Sequence, residues 1–356
     1  MRSMIARGVA PLLAALLLTA CAAPAFKQPA IDTPAAFKEA SAEVKTAPDG
    51  SVWRVARQAE QQPRGEWWLA FQDPRLTELV DEAARNNASL AVAAARVKQA
   101  RAIAGIAQAD RVPQVGLGIQ AQRARSAAQT SYSASLSASY EVDLFGRVGA
   151  NIEAARQDAG ASEASYRSVL LSLQADVAQT WFRLRALDAE LATVDSAVRL
   201  REESVRVNQR RFDLGDIGEF DLTRARTELS ATRAEAIGLQ RQRTNAEHAL
   251  AVLLGRPAAR FTAITSPLPD TVALPAIPAG LPSSLLERRP DIAAAQRAME
   301  AANARIGVAR AAMFPALSLN AAGGGVGGTM ADVFNWSSRS WVLGALLSLP
   351  IIDGGR

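Results

Sequence analysis

Side chains able to do bond chemistry are scarce in this sequence: 356 residues hold one Cys, Cys21, and one His, His248. One thiol cannot form an intrachain disulfide, and one thiol with one imidazole is too few for a multi-ligand zinc site. Cys21 closes the run Leu18-Thr19-Ala20-Cys21, at the end of an apolar stretch from Val9 to Leu18 that follows Arg2 and Arg7. A charged then apolar opening, too short to span a bilayer, is the pattern of an export signal over residues 1–20. The run resembles a lipobox: its small residues fit a signal peptidase, and the thiol then accepts a diacylglyceryl group. Cys21 is therefore the expected lipidation site, the alternative being a free buried thiol. Ala22, in place of an Asp, favours sorting to the outer membrane over retention at the inner one. His248 stands beside Glu247 in a heptad pattern with no nucleophile at a local spacing, so it reads as a surface or packing residue rather than a catalyst. The run Gly323 to Gly328 lacks the Lys-Ser/Thr of a phosphate loop and lies between two strand patterns, where a flexible external loop is expected. Neither an enzyme nor a cofactor follows from these residues.

The elements that carry them are periodic. Lys and Arg number 40 against 35 acidic residues, and the basic residues alternate with Glu and Asp along helical stretches. They read as solvated helix faces rather than a nucleic-acid surface. The stretch from Leu90 through Ala104-Gly105-Ile106-Ala107 to Pro113-Gln114-Val115-Gly116-Leu117 aligns without gaps on Ile292 through Ile306-Gly307-Val308-Ala309 to Pro315-Ala316-Leu317-Ser318-Leu319. Each copy reads as an Ala-rich helix stopped by Pro, then two strands, then a Gly-Arg signal at Gly146-Arg147 or Gly355-Arg356.

From Ser131 to Asp143 the alternation is strict. Tyr132, Ala134, Leu136, Ala138, Tyr140 and Val142 fall on one side, with Ser133, Ser135, Ser137, Ser139 and Glu141 on the other. A run of about thirteen such residues exceeds the roughly 9 to 11 that cross a bilayer in a tilted barrel. Tyr132, Leu136 and Tyr140 are then expected to face lipid, and the four serines a watery lumen; a half-buried strand of a soluble sandwich has the same pattern. Val115, Leu117 and Ile119 repeat it more weakly, as do Leu317 and Leu319, then Trp341 to Leu349. Four strands are too few to close a barrel in one chain, so a barrel implies oligomerisation.

Between Val148 and Leu254 there is no Pro. Leu184, Leu191, Val198, Val205 and Phe212 recur every seven residues, and Leu222, Leu229, Ala236 and Leu250 resume the spacing, as a coiled coil requires. Leu214-Gly215-Asp216-Ile217-Gly218 breaks the pattern with two glycines that let the chain reverse. The arms amount to very roughly 100 and 60 Å of helix. A plain structural coiled coil explains the heptads but not the strands or the lipobox.

Together these stretches resemble the outer-membrane efflux proteins of the TolC superfamily, in the OprM- and NodT-like lipoprotein branch. The match runs through Trp67-Trp68-Leu69-Ala70-Phe71-Gln72-Asp73-Pro74, Tyr140-Glu141-Val142-Asp143-Leu144-Phe145-Gly146-Arg147, Arg211-Phe212-Asp213-Leu214-Gly215, Leu250 to Gly255 and Leu286 to Ile292. The resemblance implies a mixed fold: a long coiled-coil hairpin in a periplasmic tunnel, and four strands given to a homotrimeric twelve-stranded barrel in outer-membrane lipid. It implies passive conduction of drugs or other small molecules, delivered by an RND-type inner-membrane pump and a periplasmic adaptor. The hairpin turn then points at the adaptor, with Arg211, Phe212, Gly215, Asp216 and Asp221 as the docking tip. Alternatively, Arg211 and Asp221 only cap the turn. The expected organisation is signal 1–20, lipid-anchored tether 21–60, first repeat 61–256, Pro-rich linker 257–280 and second repeat 281–356. A second hairpin follows Gly-Arg in the family, so the chain reads as truncated. The rival is a periplasmic adaptor lipoprotein, which has a hairpin but flanks it with lipoyl halves instead of a duplicated helix-strand-strand unit.

Overall fold

Asp73 starts the first long element. Its Oδ1 accepts hydrogen bonds from the amides of Arg75 (3.0 Å) and Leu76 (3.1 Å), and Pro74 fills the first helical position, so the N-terminal donors are satisfied where Pro lacks one. This helix, α1 (Pro74–Asn86), buries Leu76, Leu79, Val80 and Ala83, a single stripe at helical spacing. It is followed by α2 (Ala88–Ala109), β1 (Gln114–Gln122), β2 (Ser131–Val142), α3 (Arg147–Asp213), α4 (Glu219–Leu253), α5 (Pro290–Ala311), β3 (Ala316–Gly327) and β4 (Arg339–Ser348). The computed structural model describes residues 25–31, 33–34, 65–123, 130–269, 286–352 and 354. Cys21, the expected signal, most of the expected tether, part of the expected linker and the final Gly-Arg lie outside those residues.

The duplication is visible in the elements. α2 and α5 each have 22 residues, and each is followed, at matching positions of the gap-free alignment, by a strand. The chain divides into two compact units: the described residues of Ala95–Ser165 with those of Pro290–Arg356, and the described residues of Pro34–Ala94 with Tyr166–Arg289.

In the second unit, Leu76, Leu79 and Val80 of α1 pack with Leu173, Val177, Trp181, Leu184 and Leu187 of α3 and with Leu250, Ala251 and Leu254 at the end of α4. The heptad positions Leu184, Leu222, Leu229 and Leu250 are buried. Phe212 departs from its expected seam place: it is 38% exposed, because the two helices end at the turn beside it. The heptad place between Ala236 and Leu250 is held by Arg243, buried to 9% exposure, whose Nε donates to Asp188 Oδ1 at 2.6 Å while Nη1 reaches Glu247 at 2.5 Å. Burial pulls this guanidinium down, but the hydrogen bonds and charges of Asp188 and Glu247 outweigh it and hold it above the ordinary Arg value.

In the first unit the strands form one antiparallel sheet in the order β1-β2-β3-β4. The Gly323 to Gly328 segment, expected as a loop, is mostly strand: β3 runs through Gly327. Glycine is required there because a Cβ on Gly324 would overlap the Ala134 carbonyl, and one on Gly325 the Val333 carbonyl. At the other end, β4 stops at Ser348, leaving Leu349 beyond the strand.

Candidate functional site

The register turns the alternation of four separate strands into two continuous faces. Leu117 pairs with Leu136, Leu136 with Gly323 and Gly323 with Trp341, while Tyr140 pairs with Leu319 and Leu319 with Ala345. One face therefore carries Val115, Leu117, Ile119, Tyr132, Leu136, Tyr140, Leu317, Leu319, Trp341, Leu343 and Leu347. Ser135 pairs with Gly118 and Gly324, Ser137 with Gly116 and Ala322, and Ser139 with Gln114 and Asn320. Ser133 joins them through Gln120, so the opposite face is polar or small except at its margins. Short of the β3–β4 connection the apolar face is uncovered: Leu117 is 71% and Leu343 71% exposed. Among the described residues β1 and β4 each have one neighbour only, so their outer backbone groups are unpaired within the sheet.

Where β2 gives way to α3, the chain is clamped. Asp143 caps α3 by accepting from the amides of Val148 (3.0 Å) and Gly149 (2.8 Å), and Gly146 takes φ +75 to make the bend. Arg147 forms a two-pronged ion pair with Glu141, the shorter prong between Nη2 and Oε2 and the other at 2.7 Å. That hydrogen bond, with the charges of Glu141, Asp143 and Asp110, raises Arg147 above the ordinary Arg value against the opposing effect of burial. Phe145 stacks on Phe314, 4.9 Å between centroids at 17°, which ties the turn after β2 to the turn before β3. A recess of about 300 Å³ opens here, lined by Asp110, Gln114, Ser139, Glu141, Arg147 and Asn320.

The hairpin turn belongs to the other unit. The amide of Gly215 donates to Phe212 O (2.9 Å) and that of Asp216 to Arg211 O (2.8 Å), with Gly215 at φ +76. This is a Schellman closure, which needs a residue at ease in the left-handed region. Of the expected tip residues, the structure brings Arg211 and Asp216 together, Nε to Oδ2 at 2.6 Å; Arg211 therefore closes the turn through Asp216 and not Asp221. Asp221 lies in the first turn of α4 with Glu219, where acidic charge suits the helix dipole. Within the Arg211 to Asp221 segment two residues were not singled out from sequence: Leu214 and Phe220, 84% and 77% exposed. Large apolar residues beside glycines in a turn were the available signal, obscured by the heptads on either side.

A second set missed from sequence holds the base of that unit. Asp73 Oδ2 accepts from Trp181 Nε1 (2.8 Å) and Arg185 Nη1 (2.9 Å), and Asp188 Oδ2 accepts the Ser266 amide at 2.9 Å. Their partners lie about a hundred residues away in sequence, beyond any local spacing rule. Among the described residues no group of three or more His, Cys, Asp or Glu could hold a metal ion.

Comparison with known proteins agrees with this geometry. The family model described as outer membrane efflux protein matches residues 79–256 and 281–356. The pyoverdine export outer membrane protein OpmQ of Pseudomonas putida is 34% identical, over 87% of this chain and 68% of that protein. The cation efflux system protein CusC of Escherichia coli is 32% identical, over 97% of this chain and 74% of its own length. Among solved structures, the CmeC outer membrane channel of Campylobacter jejuni superposes with a TM-score of 0.77 at 25% identity, covering 94% of this chain and 71% of that one.

Proposed function

The chain belongs to the outer membrane efflux protein family, and from that premise we propose that three copies close their sheets into one twelve-stranded barrel continued by a helical tunnel. Its place is the Gram-negative outer membrane, as an efflux channel protein and not an enzyme. The adaptor alternative is not favoured, since the matched family is that of the channels. One observation carries the reading: the sheet has an uncovered apolar face, a serine-lined face and two open edges. In water the first and last are liabilities. Between lipid and a wet lumen, with edges paired to neighbouring copies, all three are satisfied. Tyr132 and Tyr140 stand eight residues apart on the apolar face, about 27 Å along the strand, close to the height of an apolar band with aromatic girdles.

The cargo is drugs or other small molecules, passed on by an inner-membrane pump of the RND type and a periplasmic adaptor. Cargo choice rests with the pump, because Ser, Gly and Gln offer the lumen no selective chemistry. The adaptor meets the tip at Arg211, Phe212, Gly215, Asp216 and Asp221, joined by exposed Leu214 and Phe220. A diacylated Cys21 supplies the anchor, and residues 21–60 the tether.

The decisive experiment is cysteine labelling of the membrane-inserted full chain, with Cys21 left to its acyl group. Ser135→Cys should react with a membrane-impermeant maleimide, and Leu136→Cys, whose thiol stays protonated against lipid, should react only after the protein is unfolded. Equal labelling of both by the impermeant reagent would rule out a sheet between lipid and water.

A further inference from the structure

The segment joining β3 to β4 is not used by the reading above. It lies at the end of the sheet away from α2, α3 and α5, since β1 and β3 begin, and β2 ends, beside those helices. It is built, not slack. Asp332 Oδ2 accepts from the amide (3.1 Å) and hydroxyl (2.6 Å) of Thr329, Asn335 Nδ2 donates to Asp332 Oδ1 (3.3 Å), and the Ser338 hydroxyl donates to Val333 O (3.0 Å). Val333 is buried at 3% exposure. The segment folds to a defined side: Gly325 and Gly327, which continue the row of Leu317, Leu319 and Ala321, are where an added Cβ would strike Val333 and Asp332. That row belongs to the apolar face.

Against this scaffold the outward residues are the wrong kind for water. Phe334 is 68% exposed, Trp336 82% and Trp341 79%, with Met330 beside them. The Arg339 guanidinium sits over the Trp336 ring, 4.7 Å from its centroid. Asp332, the only acidic residue between Gly328 and Arg339, is taken up inside the segment. Aromatic rings with one polar edge and a cation whose fork fits phosphate, at the rim of an apolar face, match the interface where acyl chains meet phosphorylated headgroups.

We propose that this connection is a lipid-headgroup site: Phe334 and Trp336 enter the outer interface, and Arg339, held by Trp336, binds a phosphate of an outer-leaflet lipid. The proposal rests on the apolar face being the lipid-facing one, and its test separates the two. The full chain is extracted from outer membranes and placed in vesicles of brominated phosphatidylcholine, with or without diphosphoryl lipid A. Subtracting the fluorescence of Trp336→Phe and of Trp341→Phe from that of the parent isolates each ring. Both rings should be quenched by bromine, and Trp336 should shift to the blue when lipid A is added. Arg339→Glu should retain about fivefold less diphosphoryl lipid A through purification. Quenching of Trp341 alone, with Trp336 emitting as in water, overturns the headgroup site and leaves the barrel reading standing. Quenching of neither ring overturns both. Unchanged lipid A retention by Arg339→Glu overturns the phosphate contact even if Trp336 is quenched.

Discussion

A residue buried against pattern states its reason through its partners. Arg243 interrupts the leucine heptad, yet it is fixed by Asp188, Glu247 and the carbonyl of Ala263. Taking two charges out of water is costly, so such a pair adds little net stability, whereas removing one member strands the other. Asp188→Ala should therefore destabilise the protein by about 3–5 kcal/mol, and Asp188→Leu combined with Arg243→Leu should recover only part of that loss, because Glu247 and the Ser266 amide still lose their partners; thermal melts of the two variants followed by circular dichroism make the comparison. Asp73 is a second such point, since one carboxylate serves the α1 cap, Trp181 and Arg185 at once. Asp73→Ala should cost about 2 kcal/mol or more, beyond the loss of an ordinary cap. Asp73→Asn should recover the cap part alone, read in the same melts.

Elements here end where glycine permits. Gly215 and Gly255 sit at φ +76 and +69 beyond the ends of α3 and α4, and both carry the paired amide bonds of a Schellman closure. They differ in surroundings, for nothing lies near Gly215, whereas a Cβ on Gly255 would overlap the Asn86 carbonyl. Gly215→Ala should thus cost about 1 kcal/mol from backbone strain alone, and Gly255→Ala clearly more, a ranking that urea titration of the two variants would check. In β3 the same logic separates Gly325, pressed by Val333, from Gly344 of β4, which has open space. Gly325→Ala should expose the β3–β4 segment to protease while Gly344→Ala leaves it resistant.

For the whole molecule, the sheet is the part that cannot be at rest alone in water. An arginine at Leu136 should weaken the membrane-inserted oligomer by about 2–4 kcal/mol if it falls near mid-bilayer, whereas one at Ser135 should leave heat resistance nearly intact and alter conductance. Heating the extracted oligomer before electrophoresis, and recording currents across planar bilayers, would measure the two effects. Much of this was legible in the amino-acid order. Strict alternation from Ser131 and heptads on both sides of Gly215 have periods of two and seven, which survive without coordinates because they are local, and the gap-free repeat survives because it needs only residue types compared along the chain. The sequence by itself thus determined the four strands in outline, the helices from α2 to α5, that the unit occurs twice, and which side of β2 is apolar. Only the tertiary structure decided that all four strands share one register, so that Leu117, Leu136 and Trp341 make one face, and that the glycines of β3 are strand because Val333 and Asp332 lie against them. It also decided that the base of the hairpin is held by Asp73, Trp181, Arg185, Asp188 and Arg243. Those contacts join residues far apart in the chain, and their energies depend on burial and on distance in space, which no spacing along the sequence encodes.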